Sequence, residues 1–365
     1  MKPGASAGEI EKVLEVVESL GFRGHSMPGE TRTAIGVTGN RGSVDPANFE
    51  NLPGVAEAIR VTQPYKLILR DARPERSVVK VGTATIGGSE LAIIAGPCAI
   101  ESRTQLTTVA REVAASGAKF LRGGAYKPRT SPYAFQGLGE EGLKMLADVR
   151  EETGLNIVTE AMDEHGVDAV EKYGDCIQIG ARNMQNYSLL RYVGKTRKPV
   201  LLKRGLSATL EEFLLAAEYV MSEGNYDVIL CERGIRTFAN HARNTMDLSV
   251  VPAVHRMTHL PIIVDPSHAT GHNYMVAPLS RAGIAVGADG VIIEVHPRPA
   301  EALCDGAQAL TLAQYRDLVE QLLAIREVTV EATRGTTLYA ESFARQPYPN
   351  RKRIRAFPAI PKTGR

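Results

Sequence analysis

The sequence contains no tryptophan, and aromatic residues make up only 5% of the chain. Single-stranded nucleic acid is gripped by aromatic faces on which bases stack, so so few of them argue against that partner. No apolar run approaches the roughly 18 residues that a membrane-spanning helix requires. The opening MKPGASAGEIEK also lacks the apolar stretch of a secretory signal. A cytoplasmic protein with no membrane partner is the expectation. The four cysteines, Cys98, Cys176, Cys231 and Cys304, lie far apart and form no CxxC pair, which argues against a zinc ribbon or a disulfide framework. Most such cysteines are small buried hydrophobes. No GxGxxG follows any apolar run, so the fingerprint of a doubly wound dinucleotide fold is missing as well.

What is present is an ordinary globular composition, 44% apolar and 23% charged over 365 residues. That length allows two domains, or one large α/β barrel with an appendage. The net charge of +2 conceals an asymmetry, because residues 345–365 hold seven Lys or Arg and no acid. Without them the chain carries 36 basic against 41 acidic residues, a net of −5. The tail RQPYPNRKRIRAFPAIPKTGR has no helical period, and residues 331–365 are expected to form a basic, mostly disordered extension.

From residue 91 onward one pattern repeats. Short β-rich runs occur at LAIIAG (91–96), KFLRG (119–123), LNIVTE (155–160), CIQIG (176–180), PVLLK (199–203), DVILC (227–231), PIIVD (261–265) and GVIIEV (290–295). Segments such as TQLTTVAREVAASG and TLEEFLLAAEYVMSEG separate them, with apolar residues at helical spacing and a threonine and a glycine placed to cap. Eight alternating units predict an α/β fold, a (β/α)8 TIM barrel over residues 76–330.

Residues 1–75 differ. EIEKVLEVVESL reads as an amphipathic helix, RTAIGVTG as a strand, DPANFENL as a short helix opened by Asp45 and Pro46, and VAEAIRV as another strand. This predicts a small α+β domain, which resembles a ferredoxin-like one. The chain starts at MKPG where such a fold wants a first strand, so that edge is expected to be filled by a partner chain or by residues upstream of this start. VVKVGTATIGG reads as a hairpin around Gly82 that caps the bottom of the barrel.

At or just past the ends of the eight runs stand Cys98, Arg122 with Lys127, Glu160, Arg182, Lys203, Arg233, His268 and Glu294. Parallel strands of a barrel all point their C-terminal ends at one face, so these residues are expected to share it. Cys98, His268 and Glu294, followed closely by Asp305, offer mixed S, N and O donors of the kind that suit Mn, Fe, Co or Zn. The same spacing also lets His268 orient a substrate and Glu294 pair with an arginine. Six cations share the face: Arg122, Lys127, Arg129, Arg182, Lys203 and Arg233. Such a cluster repels itself unless anions sit within it. Arginine binds phosphate and carboxylate bidentately and lysine acts as a point charge, so two or more anionic groups are expected.

The motifs AGPCAIES, LRGGAYKPRTSPYAFQGLG, IQIGARNMQN, LLKRG, ILCERGIRTF, VDPSHATGH and EVHPRPAEALCDG closely resemble those of 3-deoxy-D-arabino-heptulosonate 7-phosphate (DAHP) synthases, over residues 78–327 and in the same order. The N-terminal domain looks like the regulatory extension of the type Iβ branch. The resemblance implies a transferase that condenses phosphoenolpyruvate with erythrose 4-phosphate and water at the start of the shikimate pathway. It implies Cys98, His268, Glu294 and Asp305 as ligands of one divalent ion, Mn, Fe, Co or Zn. Arg122, Lys127, Arg182, Lys203 and Arg233 would hold phosphoenolpyruvate, and Arg129 and Thr130 the aldose phosphate. Lys127 is the candidate proton donor and Glu160 the residue that orients water. The family suggests a homotetramer and feedback inhibition by tyrosine or phenylalanine, with His25 in the matching region. The related 3-deoxy-D-manno-octulosonate 8-phosphate synthases are set apart by the loop after the second barrel strand, which resembles KANR there and reads KPRT here. A purely regulatory, inactive protein is disfavoured because every expected site residue is present.

Overall fold

The computed structural model describes residues 1–335 except 30, 41–43, 60–63 and 71–72. The expected basic extension therefore lies almost wholly outside the described residues. The N-terminal module opens with α1 (Ala7–Ser19), whose start is fixed by a capping box: Ser6 accepts from the backbone N–H of Glu9, and the Glu9 carboxylate accepts from that of Ser6. Val13 and Val17 are its buried positions, one turn apart. Then come β1 (Arg23–Pro28) and β2 (Thr33–Thr38), an antiparallel pair, and α2 (Ala47–Glu50), where Asp45 accepts from the Ala47 N–H.

Two expectations for this module need correction. VAEAIRV forms no strand over its described residues 55–59; Val55 instead packs into a small core with Val13, Val17 and Phe49. The strand β1 was not foreseen, because RGHSMP carries glycine, serine and proline and has no apolar alternation to betray it. It is a strand because α1 covers it and its His25 and Met27 are buried.

The hairpin around Gly82 is formed by β3 (Val79–Val81) and β4 (Ala84–Ile86). Its Val79, Val81 and Ile86 join the core inside the barrel, and the Thr83 N–H donates to Asn156 at the N-terminal end of the third barrel strand. The hairpin thus plugs the bottom.

The barrel strands are β5 (Ala92–Gly96), β6 (Phe120–Arg122), β7 (Asn156–Ala161), β8 (Cys176–Ile179), β9 (Val200–Lys203), β10 (Val228–Glu232), β11 (Ile262–Val264) and β12 (Gly290–Glu294). Each pairs in parallel with the next, and β12 pairs with β5 to close the ring. Period-2 alternation sends Ile94 and Ile292 to the inner core, while Ile93, Ala95, Val291 and Ile293 face the helices. Burial on both faces is why these strands read as unbroken apolar runs.

The helices are α3 (Arg103–Ala115), α4 (Glu140–Thr153), α5 (Glu164–Tyr173), α6 (Tyr187–Val193), α7 (Leu210–Ser222), α8 (Val250–Met257), α9 (Pro266–Thr270), α10 (Asn273–Ala285) and α11 (Leu312–Gly335). Thr209 caps α7 as expected, in a capping box with Glu212. For α3 the cap is Ser102, whose hydroxyl accepts from the Gln105 N–H, and Thr104 lies inside the helix. No helix among the described residues is long and apolar enough to cross a membrane.

Among the contacts that tie the N-terminal part to the barrel are two centred on Glu218 and His25. The Glu218 carboxylate on α7 accepts the backbone N–H groups of Lys66, Leu67 and Ile68 at 2.8–3.1 Å. His25, only 2% exposed, has Nδ1 3.0 Å from the Tyr226 hydroxyl and Nε2 2.7 Å from the Thr38 hydroxyl. Burial, with Arg23 nearby, pushes its pKa down to about 4, so the ring is neutral near pH 7.

Candidate active site at the C-terminal end of the barrel

The residues singled out at the strand ends converge. A cavity of about 550 Å³ opens there, lined by Arg122, Lys127, Arg129, Thr130, Glu160, Arg182, Lys203, Arg233, His268 and Asp305. Cys98 and Glu294 lie just beneath, 3% and 1% exposed. His25 is the one candidate outside the group, at the module's contact with the barrel.

The sulfur of Cys98, a ring nitrogen of His268 and carboxylate oxygens of Glu294 and Asp305 all lie within 4.8 Å of one another. His268 Nε2 is 3.2 Å from Glu294 Oε1 and 3.9 Å from Asp305 Oδ2, and Cys98 Sγ is 3.4 Å from the same Oδ2. Local folding delivers each donor. Asp265 ends β11 and starts α9 by accepting the His268 N–H, which brings the imidazole back over the barrel mouth. Its Oδ2 sits 2.8 Å from His268 Nδ1. Burial lowers the His268 pKa despite the acids around it, so the ring is neutral, Nδ1–H donates to Asp265, and the Nε2 lone pair faces the other donors. Asp305 holds a left-handed backbone (φ 52°), the only non-glycine positive φ among the described residues. Such strain is characteristic of functional sites. Donor types, burial and tautomer fit a divalent transition ion.

Glu294 does both things its sequence position allowed. Its Oε1 accepts from Arg122 Nη1 at 2.5 Å while facing His268. Burial opposes its ionisation, yet the Arg122 and Lys127 cations hold the carboxyl far below its ordinary range. The Cys98 thiol goes the other way: its contact to Cys304, Sγ to Sγ 3.0 Å, and its burial raise it. Cys304, which accepts that hydrogen bond, is lowered. A thiolate at Cys98 thus needs a cation beside it.

The cations line the wall above. Lys127 folds back to donate to the Cys98 carbonyl at 3.0 Å. This explains a glycine in LRGGAYK, since a Cβ on Gly124 would stand 2.8 Å from that carbonyl oxygen and 2.7 Å from Lys127 Cδ. Lys203 donates to Asp265 at 2.5 Å, with both groups buried. Arg233 is 8% exposed, and its Nη1 finds no partner among the described residues. Arg129 reaches Cys304 Sγ. Glu160 accepts from Gln178 Nε2 at 3.1 Å, and a Cβ on Gly180 would stand 2.0 Å from Glu160 Oε1, so only glycine leaves that carboxylate its place.

Sequence reasoning missed several neighbours. Arg236 and Arg243 bring the cations on the wall to eight, against the two acids Glu160 and Asp305. Asn244 also lines the cavity, and Arg243 Nη2 lies 3.4 Å from Asp305 Oδ1. Gln308, wholly buried, donates to Glu294 Oε2. Asp265 had a readable signal, an acid before proline at a helix start three residues ahead of the histidine.

Known proteins resemble this chain in sequence and fold. Residues 72–331 match the model of the DAHP synthetase I family, and residues 1–63 match that of the DAHP synthase ferredoxin-like domain. The chain belongs to the DAHP synthetase I family. It is 50% identical to the phospho-2-dehydro-3-deoxyheptonate aldolase of Thermotoga maritima over 322 residues, which span 88% of this chain and 95% of that protein. A crystal structure of that DAHP synthase superposes with a TM-score of 0.72 at 49% identity, covering 90% of this chain and 96% of the other. The 2-dehydro-3-deoxyphosphooctonate aldolase of Syntrophotalea carbinolica is more distant, 35% identical over 68% of this chain and 95% of its own length. The N-terminal module is thus of the ferredoxin-like type and the barrel of the DAHP synthase type.

Proposed function

We propose that this chain condenses phosphoenolpyruvate with D-erythrose 4-phosphate and water to give 3-deoxy-D-arabino-heptulosonate 7-phosphate and inorganic phosphate, the first step towards chorismate and the aromatic amino acids. The observation that carries it is the eight-cation wall over a Cys–His–Glu–Asp cluster, with the loop KPRT at its side, in a chain half identical to a heptonate aldolase. The octulosonate reading is less supported, since those relatives are the more distant ones.

Cys98, His268, Glu294 and Asp305 would hold one divalent ion, Mn, Fe, Co or Zn. Bound there, it supplies Lewis acidity to the erythrose aldehyde. Arg122, Lys127, Arg182, Lys203 and Arg233 hold the phosphate and carboxylate of phosphoenolpyruvate, so that its C3 faces the aldehyde carbon. Arg129 and Thr130 bind the aldose phosphate at the rim, which requires Arg129 to leave Cys304. C3 attacks the aldehyde carbon, water oriented by Glu160 adds its oxygen at C2, and phosphate departs as the C2 carbonyl forms, one of the water's protons leaving with the phosphate and the other restoring Lys127. Lys127 gives a proton to the new alkoxide. Burial opposes its charge, but the cysteine pair and Glu160 raise its pKa, so it starts each turnover protonated.

The test is loss of the ultraviolet absorbance of phosphoenolpyruvate with erythrose 4-phosphate or arabinose 5-phosphate, before and after chelation and with Mn restored. Loss with erythrose 4-phosphate alone, abolished by chelator and rescued by Mn, is expected. Consumption only with arabinose 5-phosphate would move the substrate to the octulosonate class.

In the same reading residues 1–75 form a regulatory domain, 76–330 the catalytic barrel and 331–365 a basic extension of a cytoplasmic homotetramer. Tyrosine or phenylalanine is the expected feedback inhibitor. A role for His25 in sensing it would mean breaking the bonds to Tyr226 and Thr38. H25A is expected to keep turnover and lose inhibition, and undiminished inhibition in that variant would place the sensor elsewhere.

A further inference from the structure

The geometry points to Gln308 as the positioning residue that makes Glu294 offer a single oxygen to the metal cluster. This rests on the metal reading of the four donors. Gln308 is wholly buried, and its Nε2 donates to Glu294 Oε2 at 2.5 Å. The other oxygen, Oε1, accepts from Arg122 and faces His268 Nε2. Each carboxylate oxygen thus has its own partner, and the carboxylate cannot turn about its axis without breaking one of the two bonds. With Oε2 taken by an amide donor, only Oε1 points at the donor set.

The amide orientation is forced. Turned over, Gln308 would set its carbonyl oxygen against an ionised carboxylate that the surrounding cations keep charged. In the orientation it has, Gln308 Oε1 is buried and finds no partner among the described residues. An orphaned buried acceptor costs stability, which offsets part of what the bond from Gln308 to Glu294 contributes to the fold.

The clamp is also tied to a second donor. Gln308 closes the short turn that starts at Asp305, its N–H donating to the Asp305 carbonyl at 3.2 Å. Asp305 enters that turn with the left-handed backbone noted above. One turn therefore carries one metal-ligand candidate and the residue that aims another. Charge explains the residue type: a glutamate would repel Glu294, and a lysine would neutralise the charge the ion needs.

The test is Q308M, which keeps the length and removes the donor. Apo protein is titrated with Co(II), read by the thiolate-to-cobalt charge-transfer band and the ligand-field bands, and with Mn(II) by competition. The unfolding midpoint of the apo protein is measured alongside. Expected is a loss of about 10-fold or more in metal affinity, a changed ligand-field spectrum, and an apo midpoint no higher than that of the wild type, since the variant removes one orphaned acceptor and leaves Glu294 Oε2 as another. Unchanged affinity and spectrum in Q308M, with the wild type binding normally, would overturn the role of Gln308. Absence of the charge-transfer band in the wild type itself would overturn the metal reading instead. Should Q308M not reach the folded state, Q308L makes the same measurement.

Discussion

Replacing Cys98 by alanine is expected to lower metal-dependent turnover by about three orders of magnitude while leaving the fold in place. The size follows from the role proposed for the ion: Lewis-acid stabilisation is worth several kcal/mol, and ~4 kcal/mol is ~10³ in rate. Cys98 supplies the only sulfur in a set of four donors and approaches Asp305 directly. The fold should tolerate the change because Cys98 packs in a small cluster with Ala99, Cys304 and Phe135, apart from the two barrel cores. One buried atom is lost, a cost of about 1 kcal/mol. Turnover across a Mn titration, metal content after dialysis and a thermal melt check it together. Wild-type turnover in a well-folded C98A would refute the assignment of this sulfur to the metal.

The second large effect is expected at Asp265, through stability as well as chemistry. Its carboxylate joins Lys203 to His268, and despite burial those two contacts hold it well below the ordinary aspartate range. In D265N the Lys203 ammonium, 3% exposed, keeps its burial and loses its counter-charge. Removing one partner of a buried pair costs about 3–5 kcal/mol. His268 suffers too, because the amide no longer holds Nδ1–H as a charged acceptor does. Loss of such a partner behind a metal-ligating histidine weakens metal affinity about 10- to 100-fold. D265N should therefore melt below the wild type and need more Mn for half-maximal activity. A variant that matched the wild type in both would show that Lys203 and His268 are held by other means.

Much of this was legible because of how a barrel buries its chain. Strands covered on both faces read as short apolar runs, and all eight were found within a residue or two of their ends. Residues at or just beyond the end of each run then fall on one face by topology alone, which is how Cys98, Glu160 and Lys203 could be grouped although far apart in sequence. Residues that reach the site by folding back were not legible. Arg243 comes from a long loop that returns across the mouth, and Gln308 from a turn beyond Asp305, so neither stands at a strand end. Glu294 illustrates a different limit. Its position allowed a metal ligand or an arginine partner, and only the geometry reveals that one carboxylate serves Arg122 while facing His268. In the N-terminal module, β1 was missed because its burial comes from α1 above it and not from its own pattern.

The hairpin at the bottom of the barrel also governs electric field. Val79, Val81 and Ile86 seal an interior of Ile94, Phe120, Val158, Leu201, Ile229, Ile263 and Ile292, so the floor beneath the cations is apolar. Field lines from the positive excess of the wall, after Arg122 and Lys203 are paired with Glu294 and Asp265, avoid such a low-dielectric floor and leave through the open mouth, where they are concentrated. The protein thereby presents anions in solution with a funnel of attraction on one face only. Doubly charged small molecules are drawn to the chamber before any side chain touches them, and dissolved salt weakens the pull.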